Sequence, residues 1–204
     1  MTRIINKLNN TYGGIIPLSI SRGKIHTYLG MTFDYTNPGK SMITMCNYID
    51  GIISNADDIY NTREGSATPA PEHLYEIREP NDDDNQLLDK HEKERYHTIT
   101  VQCLYPLKGG RPDIQQSVAF HCTRVNHPTM DDQKKLAHTI KYLMATVHIP
   151  LILSINKNNV SEWWADASFA IHDDMCSRTG AVFSMGKGAV HSASTKKRSR
   201  LQAR

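Results

Sequence analysis

The sequence predicts an α+β fold, with strands and helices in separate runs along the chain. Three observations predict it. Near the N-terminus a period-two pattern flanks a Pro-Gly turn. The middle of the chain carries apolar residues at helical spacing. After Pro150 the period returns to two.

The first element is "KIHTYLGMTFDY", residues 24–35. Ile25, Thr27, Leu29, Met31 and Phe33 alternate with His26, Tyr28, Thr32 and Asp34, the pattern of one half-buried strand. Gly30 falls in its middle, where glycine usually marks a bulge or a close backbone approach. "NPGK" places Pro38 and Gly39 at the central positions of a type II turn, and "SMITM" returns as the partner strand. Met45, Tyr48, Ile49, Ile52 and Ile53 then have helical spacing. Residues 54–85 lose periodicity, and "EGSATPAPEH" and "PNDDDN" have linker composition.

Helical signals resume near Asn85. Pro106, Gly109 and Gly110 predict an early end to the first helix of this region. Pro112 opens a stripe of Ile114, Val118, Cys122 and Val125. Thr129 and Asp132 have capping-box spacing ahead of Leu136, Ile140, Leu143 and Val147. Helix-on-helix packing is the expected use of both stripes. "LILSI", "EWWADAS", "TGAVFSM" and "GAVHSAS" follow as short strands.

Composition narrows the function. The chain has 204 residues, 22% charged and 39% hydrophobic, with a net charge of +3. That balance indicates one or two globular domains and does not by itself identify a nucleic-acid partner. The charge is unevenly placed. Lys187, Lys196, Lys197, Arg198, Arg200 and Arg204 crowd the C-terminus without an acid, whereas Asp82, Asp83 and Asp84 are consecutive. Such a basic tail is either a solvated end or a non-specific phosphate contact. Cys46, Cys103, Cys122 and Cys176 are scattered without metal-ligand spacing, so reduced thiols in an intracellular setting, cytoplasm or nucleus, are expected. No apolar run is long enough to span a membrane.

The aspartate pairs Asp57-Asp58, Asp131-Asp132 and Asp173-Asp174, with the run Asp82–Asp84, lie in polar loops or at a helix start, where negative charge is favoured. The ten histidines form no HxxxH pair, and "GKGA" lacks the context of a phosphate-binding loop. Asp166 differs, because it stands inside a strand-like segment between Ala165 and Ala167. It is either a metal ligand at a sheet edge or a hydrogen-bonded strand-end carboxylate.

The order of these segments resembles the reverse transcriptase–RNase H region of copia-type LTR retrotransposon polyproteins. The matching stretches are "RGKIHTYLGMTFDY…PGKSMITM…YI", "ATPAPEHLYEI", "RPDIQQSVAFHCTRVNHPT…KKLAHTIKYLMAT" and "WWADASFAIHDDMCSRTGAVFSMGKGAV". The resemblance implies a division into the end of a polymerase palm with a primer-grip-like hairpin (1–55), a linker (56–84), a helical thumb or connection (85–150), a partial RNase H-like sheet (151–195) and a basic tail (196–204). It implies that Tyr28, Leu29, Gly30 and Met31 face nucleic acid, joined by Lys196, Lys197, Arg198 and Arg200. It also implies that Asp166 is the first RNase H carboxylate.

The family uses Mg²⁺, but its other carboxylates find no counterpart here. There is no Tyr-x-Asp-Asp motif, and "STKKRSRLQAR" stands where an acidic helix is expected. The expectation is therefore a truncated fragment, catalytically inactive alone, that binds no cofactor tightly. A residual, weak and non-specific binder of RNA–DNA or DNA duplex is the alternative, and activity by complementation with another chain is a third reading. With so few strands, the C-terminal sheet is expected to leave an edge unpaired and a face bearing Val182, Phe183 and Val190 uncovered.

Overall fold

A computed structural model describes residues 2–14, 16, 18–60, 64–80, 85–158, 160–168 and 177–196, with 57–60 through their backbone alone. The described chain is mixed α+β, with five α-helices and two antiparallel sheets.

Helix α1, Thr2–Tyr12, contributes no buried residue. Strands β1 (Ile25–Tyr28), β2 (Met31–Asp34) and β3 (Lys40–Thr44) form a meander. Residues 24–35 are thus two strands, not the single strand that alternation predicts. Tyr28 pairs with Met31, which leaves Leu29 and Gly30 as a two-residue loop. Their φ angles of 49° and 75° are both positive, as a type I′ hairpin turn requires. The predicted Pro38-Gly39 turn is present. Gly39 has φ 75°, and the Lys40 N–H donates to Asn37 O at 3.1 Å.

Helix α2, Cys46–Tyr60, buries Ile49, Ile52 and Ala56. It continues past the last residue with clear helical spacing and into the stretch that reads as linker. The described part of that stretch, 64–80, lies against a later helix, α5 (Met130–Ala145). Thr139 Oγ1 donates to Pro69 O at 3.2 Å, Lys135 Nζ donates to Glu76 O, and Leu74 is buried.

Helix α3, Lys90–Gly109, starts with a complete capping box between Asp89 and Glu92. It does not end early. Pro106 sits inside it, and the helix runs three residues further before Gly110 caps it. A proline removes the N–H that would bond the carbonyl four residues back, here that of Gln102. The Tyr48 hydroxyl of α2 donates to this same carbonyl at 3.3 Å. The acceptor freed by Pro106 therefore has a partner from the neighbouring helix.

A 3-10 turn at Pro112–Ile114 leads into α4, Gln115–Arg124, and α5 follows with the predicted Thr129–Asp132 capping box. The core is where the stripes converge. Ile49, Ile99, Cys103, Ile114, Val118, Leu136, Ile140 and Leu143 form one buried cluster. Asp131 and Asp132 are buried at the start of α5 and ion-paired, Asp131 with Lys135 at 2.8 Å and Asp132 with Arg124 at 3.0 Å.

Five further strands follow: β4 (Leu151–Ile155), β5 (Glu162–Ser168), β6 (Arg178–Ser184), β7 (Gly186–Lys187) and β8 (His191–Lys196). They divide between sheets. β4 pairs with β3 and carries β7 at the edge, so the first sheet runs β1-β2-β3-β4-β7. It joins strands from both sides of the boundary placed at 150/151. The second sheet has the order β5-β6-β8, and α4 lies against β8. Ser192 Oγ and Gln115 Oε1 meet at 3.2 Å, and Lys108 Nζ donates to Ser192 O at 3.2 Å. The helical region therefore does reach this sheet. Val182 and Val190 are exposed, and β5 is a sheet edge, but Val182 and Phe183 are consecutive in β6 and so lie on opposite faces, not on the single face expected. No described helix is long and apolar enough to cross a membrane.

Candidate functional site

The four residues Tyr28 to Met31 come together at one hairpin tip. Tyr28 and Leu29 are exposed, while the tip is held from below. The Tyr105 hydroxyl of α3 donates to Leu29 O, and the Tyr105 ring meets Tyr48 edge-on at 5.0 Å. The expected close approach at Gly30 is not there. A Cβ on Gly30 would meet only Tyr48 side-chain atoms at 3.8 and 3.9 Å, ordinary contact distances. Its positive φ is the reason for glycine, so the bulge reading is replaced by a turn.

Asp166 occupies the middle of β5, opposite Gly180, on the edge of the second sheet. It is exposed, and Oδ1 accepts the Ala167 N–H at 2.8 Å. Residues two apart on a strand share a face. The register therefore groups Trp164, Asp166 and Ser168 with Arg178, Gly180 and Val182, and with Ser192, Ser194 and Lys196. This face and the Pro112–Gln116 segment enclose a groove of about 580 Å³ lined by Trp164, Asp166 and Asp113 among others. A smaller cavity of about 240 Å³ adjoins it, lined by Asp166, Arg178 and Tyr75. Trp163 is on the opposite face, stacked on Phe183 with 4.6 Å between centroids.

The second carboxylate of the groove, Asp113, is already engaged. Arg111 Nη2 donates to its Oδ2 at 2.7 Å, Arg111 Nε reaches Oδ1 at 3.0 Å, and the Tyr142 hydroxyl donates to Oδ2 at 2.7 Å. Burial pushes the Asp113 carboxyl up, but the Arg111 hydrogen bonds and charge and the Tyr142 hydroxyl outweigh it. The net shift is downward. Arg111 is itself buried and donates twice more to Thr146. Motif inspection missed this network, although an Arg and an Asp two residues apart around Pro112 were its visible trace.

Among the described residues no group of three or more His, Cys, Asp or Glu side chains could hold a metal. Two-metal chemistry needs several carboxylates around ions about 3.5–4 Å apart. Asp166 beside an Arg-bound Asp113 does not fit that arrangement.

Lys196 ends β8, opposite Arg178. Lys197, Arg198 and Arg200 lie outside the described residues, as do Asp82–Asp84, Asp173-Asp174, Cys176 and the side chains of Asp57 and Asp58. Those of the expected nucleic-acid residues that are described thus fall in two places: Tyr28 to Met31 at the hairpin tip of the first sheet and Lys196 at the end of the second. Cys46, Cys103 and Cys122 are free thiols. Burial raises the Cys103 thiol to about 12, which keeps it unreactive.

No family model matches the chain, and no curated protein or solved structure matches it either.

Proposed function

We propose that this chain is part of a copia-type reverse transcriptase with the opening strands of its RNase H domain, and that these residues alone catalyse neither reaction. The observation that carries the reading is Asp166, a carboxylate on an edge strand where the sheet borders a groove. The order of the four motif stretches supports it, as does the exposed tip formed by Tyr28 and Leu29. In this reading the tip and the basic residues around Lys196 touch the backbone of a template–primer duplex, and among the described residues Asp166 belongs to no group of three or more side chains that could hold a metal.

The test is direct. The purified chain is expected to give no primer extension and no RNA–DNA hybrid cleavage with Mg²⁺ or Mn²⁺. Hybrid cleavage that disappears in Asp166→Asn would overturn the inactivity.

The second reading, a residual duplex-binding module, rests on Lys196 at the end of β8 and on the basic residues that follow it in the sequence. Its binding should be sequence-independent and fall steeply with salt, because lysine and arginine contacts to phosphate release counterions. Binding unchanged at high salt excludes this reading.

A further inference from the structure

Arg178 is nearly fully buried at the start of β6, yet only part of its guanidinium is used. Nη1 donates to Ser194 Oγ at 3.0 Å. Nε and Nη2 are buried and have no hydrogen-bond partner among the described residues. A guanidinium cannot shed its proton in a protein, so the charge stays. Buried polar groups are ordinarily paired, and one that is not points to a missing water or ion. The adjoining cavity of about 240 Å³ holds far more than one water, whose share of liquid volume is about 30 Å³.

The lining of that cavity narrows the choice of ligand. Ser194 and Gln116 offer a hydroxyl and an amide donor to the cavity that Arg178 also lines, while the Ser168 hydroxyl already donates to Arg178 O at 3.4 Å. Lys196 stands across the sheet at the same register. Several converging donors and a planar fork suit an acceptor with several oxygens, and arginine binds phosphate in this two-pronged way. Tyr75 is the cover. Its ring lies over the guanidinium at 5.0 Å, and it belongs to a segment without regular structure. Access to Nε and Nη2 requires that ring to tilt.

We propose that Arg178, with Ser194 beside it and Tyr75 as its cover, is a binding site for a phosphate group next to Asp166. This inference is independent of the function proposed above, because it needs neither a metal at Asp166 nor a polymeric ligand.

The experiment is a titration of the full ¹⁵N-labelled chain with inorganic phosphate at constant ionic strength, following the Arg178 Nε–H resonance. A saturable shift with a Kd on the order of 1 mM is expected. Asp166→Asn removes a like charge from the same cavity and should tighten binding about threefold. Arg178→Lys, followed through the backbone amide resonance of Ser194 because the Arg178 Nε–H is gone, keeps the charge but loses the fork and should weaken it roughly tenfold. A parallel titration with a short single-stranded oligonucleotide names the source. Saturation at lower concentration than with inorganic phosphate assigns the site to a nucleic-acid backbone, and the reverse assigns it to a free phosphate; either supports the site. A resonance that does not move up to about 50 mM phosphate, some fifty times the expected Kd, overturns the proposal. So does unchanged affinity in a folded Arg178→Lys. If that variant does not fold, unchanged or weaker affinity in Asp166→Asn overturns it instead.

Discussion

The helical body and the second sheet of this protein are stabilised in different ways. In α2 to α5, large aliphatic side chains are inside: Ile49, Ile140 and Leu143 have no exposed surface. Helix starts are closed by capping boxes at Asp89 and Thr129. In β5, β6 and β8 the strands are written largely in Ser, Ala, Thr and Gly, while Trp163, Trp164 and Val182 face outward. Apolar burial contributes about 25 cal/mol per Å², so a sheet with small residues inside and large ones outside gains little from it. Backbone pairing across β6 still fixes the register, but the driving force comes from elsewhere in the chain.

The sharpest way to break this contrast is to cut the core. Leu143→Ala should destabilise the protein by about 2–5 kcal/mol, read as a lower midpoint in a denaturant titration. Val182→Ala in the sheet should change it by less than about 0.5 kcal/mol. Equal losses at the two sites would mean that the sheet shares the core's cooperativity.

Next in size is the Arg111 network. Arg111→Met leaves Asp113 without its cation and the Thr146 carbonyl without its Arg111 donor and should cost about 2–3 kcal/mol, less than a fully buried pair because Asp113 is partly exposed. Tyr142→Phe, which removes only one of the hydrogen bonds to Asp113, should cost about 1 kcal/mol. A larger loss from Tyr142→Phe than from Arg111→Met would place the weight of the network on the wrong residue.

A pH series sharpens the contrast further. His121 is buried against the Tyr96 hydroxyl, with Nδ1 at 2.8 Å. Burial first, then the nearby Lys135 charge, lowers its pKa from 6.5 to about 3. The unfolded chain therefore binds more protons between those values, and stability should fall as pH drops from 6.5 toward 3. The slope from this residue is at most about 1.4 kcal/mol per pH unit. Stability should be insensitive to His121 above pH 6.5. His121→Gln should flatten the acid limb of a thermal-melt series; an unchanged limb assigns the acid sensitivity to other groups.

The smallest effects are at the caps and in local opening. Thr129→Ala should cost about 1 kcal/mol, measurable by denaturant titration. Amide exchange should be slow around Ile140 and fast across 178–196. Exchange across that sheet as slow as in α5 would contradict the division drawn between the two regions.

Much of this was legible in the sequence where packing is apolar and periodic. The stripes of α4 and α5, the Thr129–Asp132 cap and the Pro38-Gly39 turn stand where the pattern puts them. The turn at Leu29-Gly30 was hidden for a physical reason. A two-residue loop preserves the period-two phase, so alternation runs through the reversal as if the strand were continuous. Residues 64–80 were obscured differently. They are held largely by polar contacts to His138, Thr139 and Lys135, which leave no hydrophobic period to detect. The candidate site was legible only in Asp166 and the hairpin tip. Arg111 and Arg178 are charged residues inside the fold, and no local pattern distinguishes such a side chain from one in solvent.

The pairing of β3 with β4 has a consequence for how the chain acquires its shape. Ile43 lies opposite Leu151, so more than a hundred residues must be made before the first sheet can close on its third strand. At a synthesis rate of about 5–20 residues per second, β3 waits roughly 5–20 s with its outer backbone groups unpaired. During that interval the meander is a bare template for any extended segment nearby. The helices between must condense first and bring the two ends of the sheet within reach. Ribosome-bound chains halted when Pro150 has just left the exit tunnel should therefore be protease-resistant in α2 to α5 and sensitive in β1 to β3, and those halted after Ile155 has left it should lose that sensitivity.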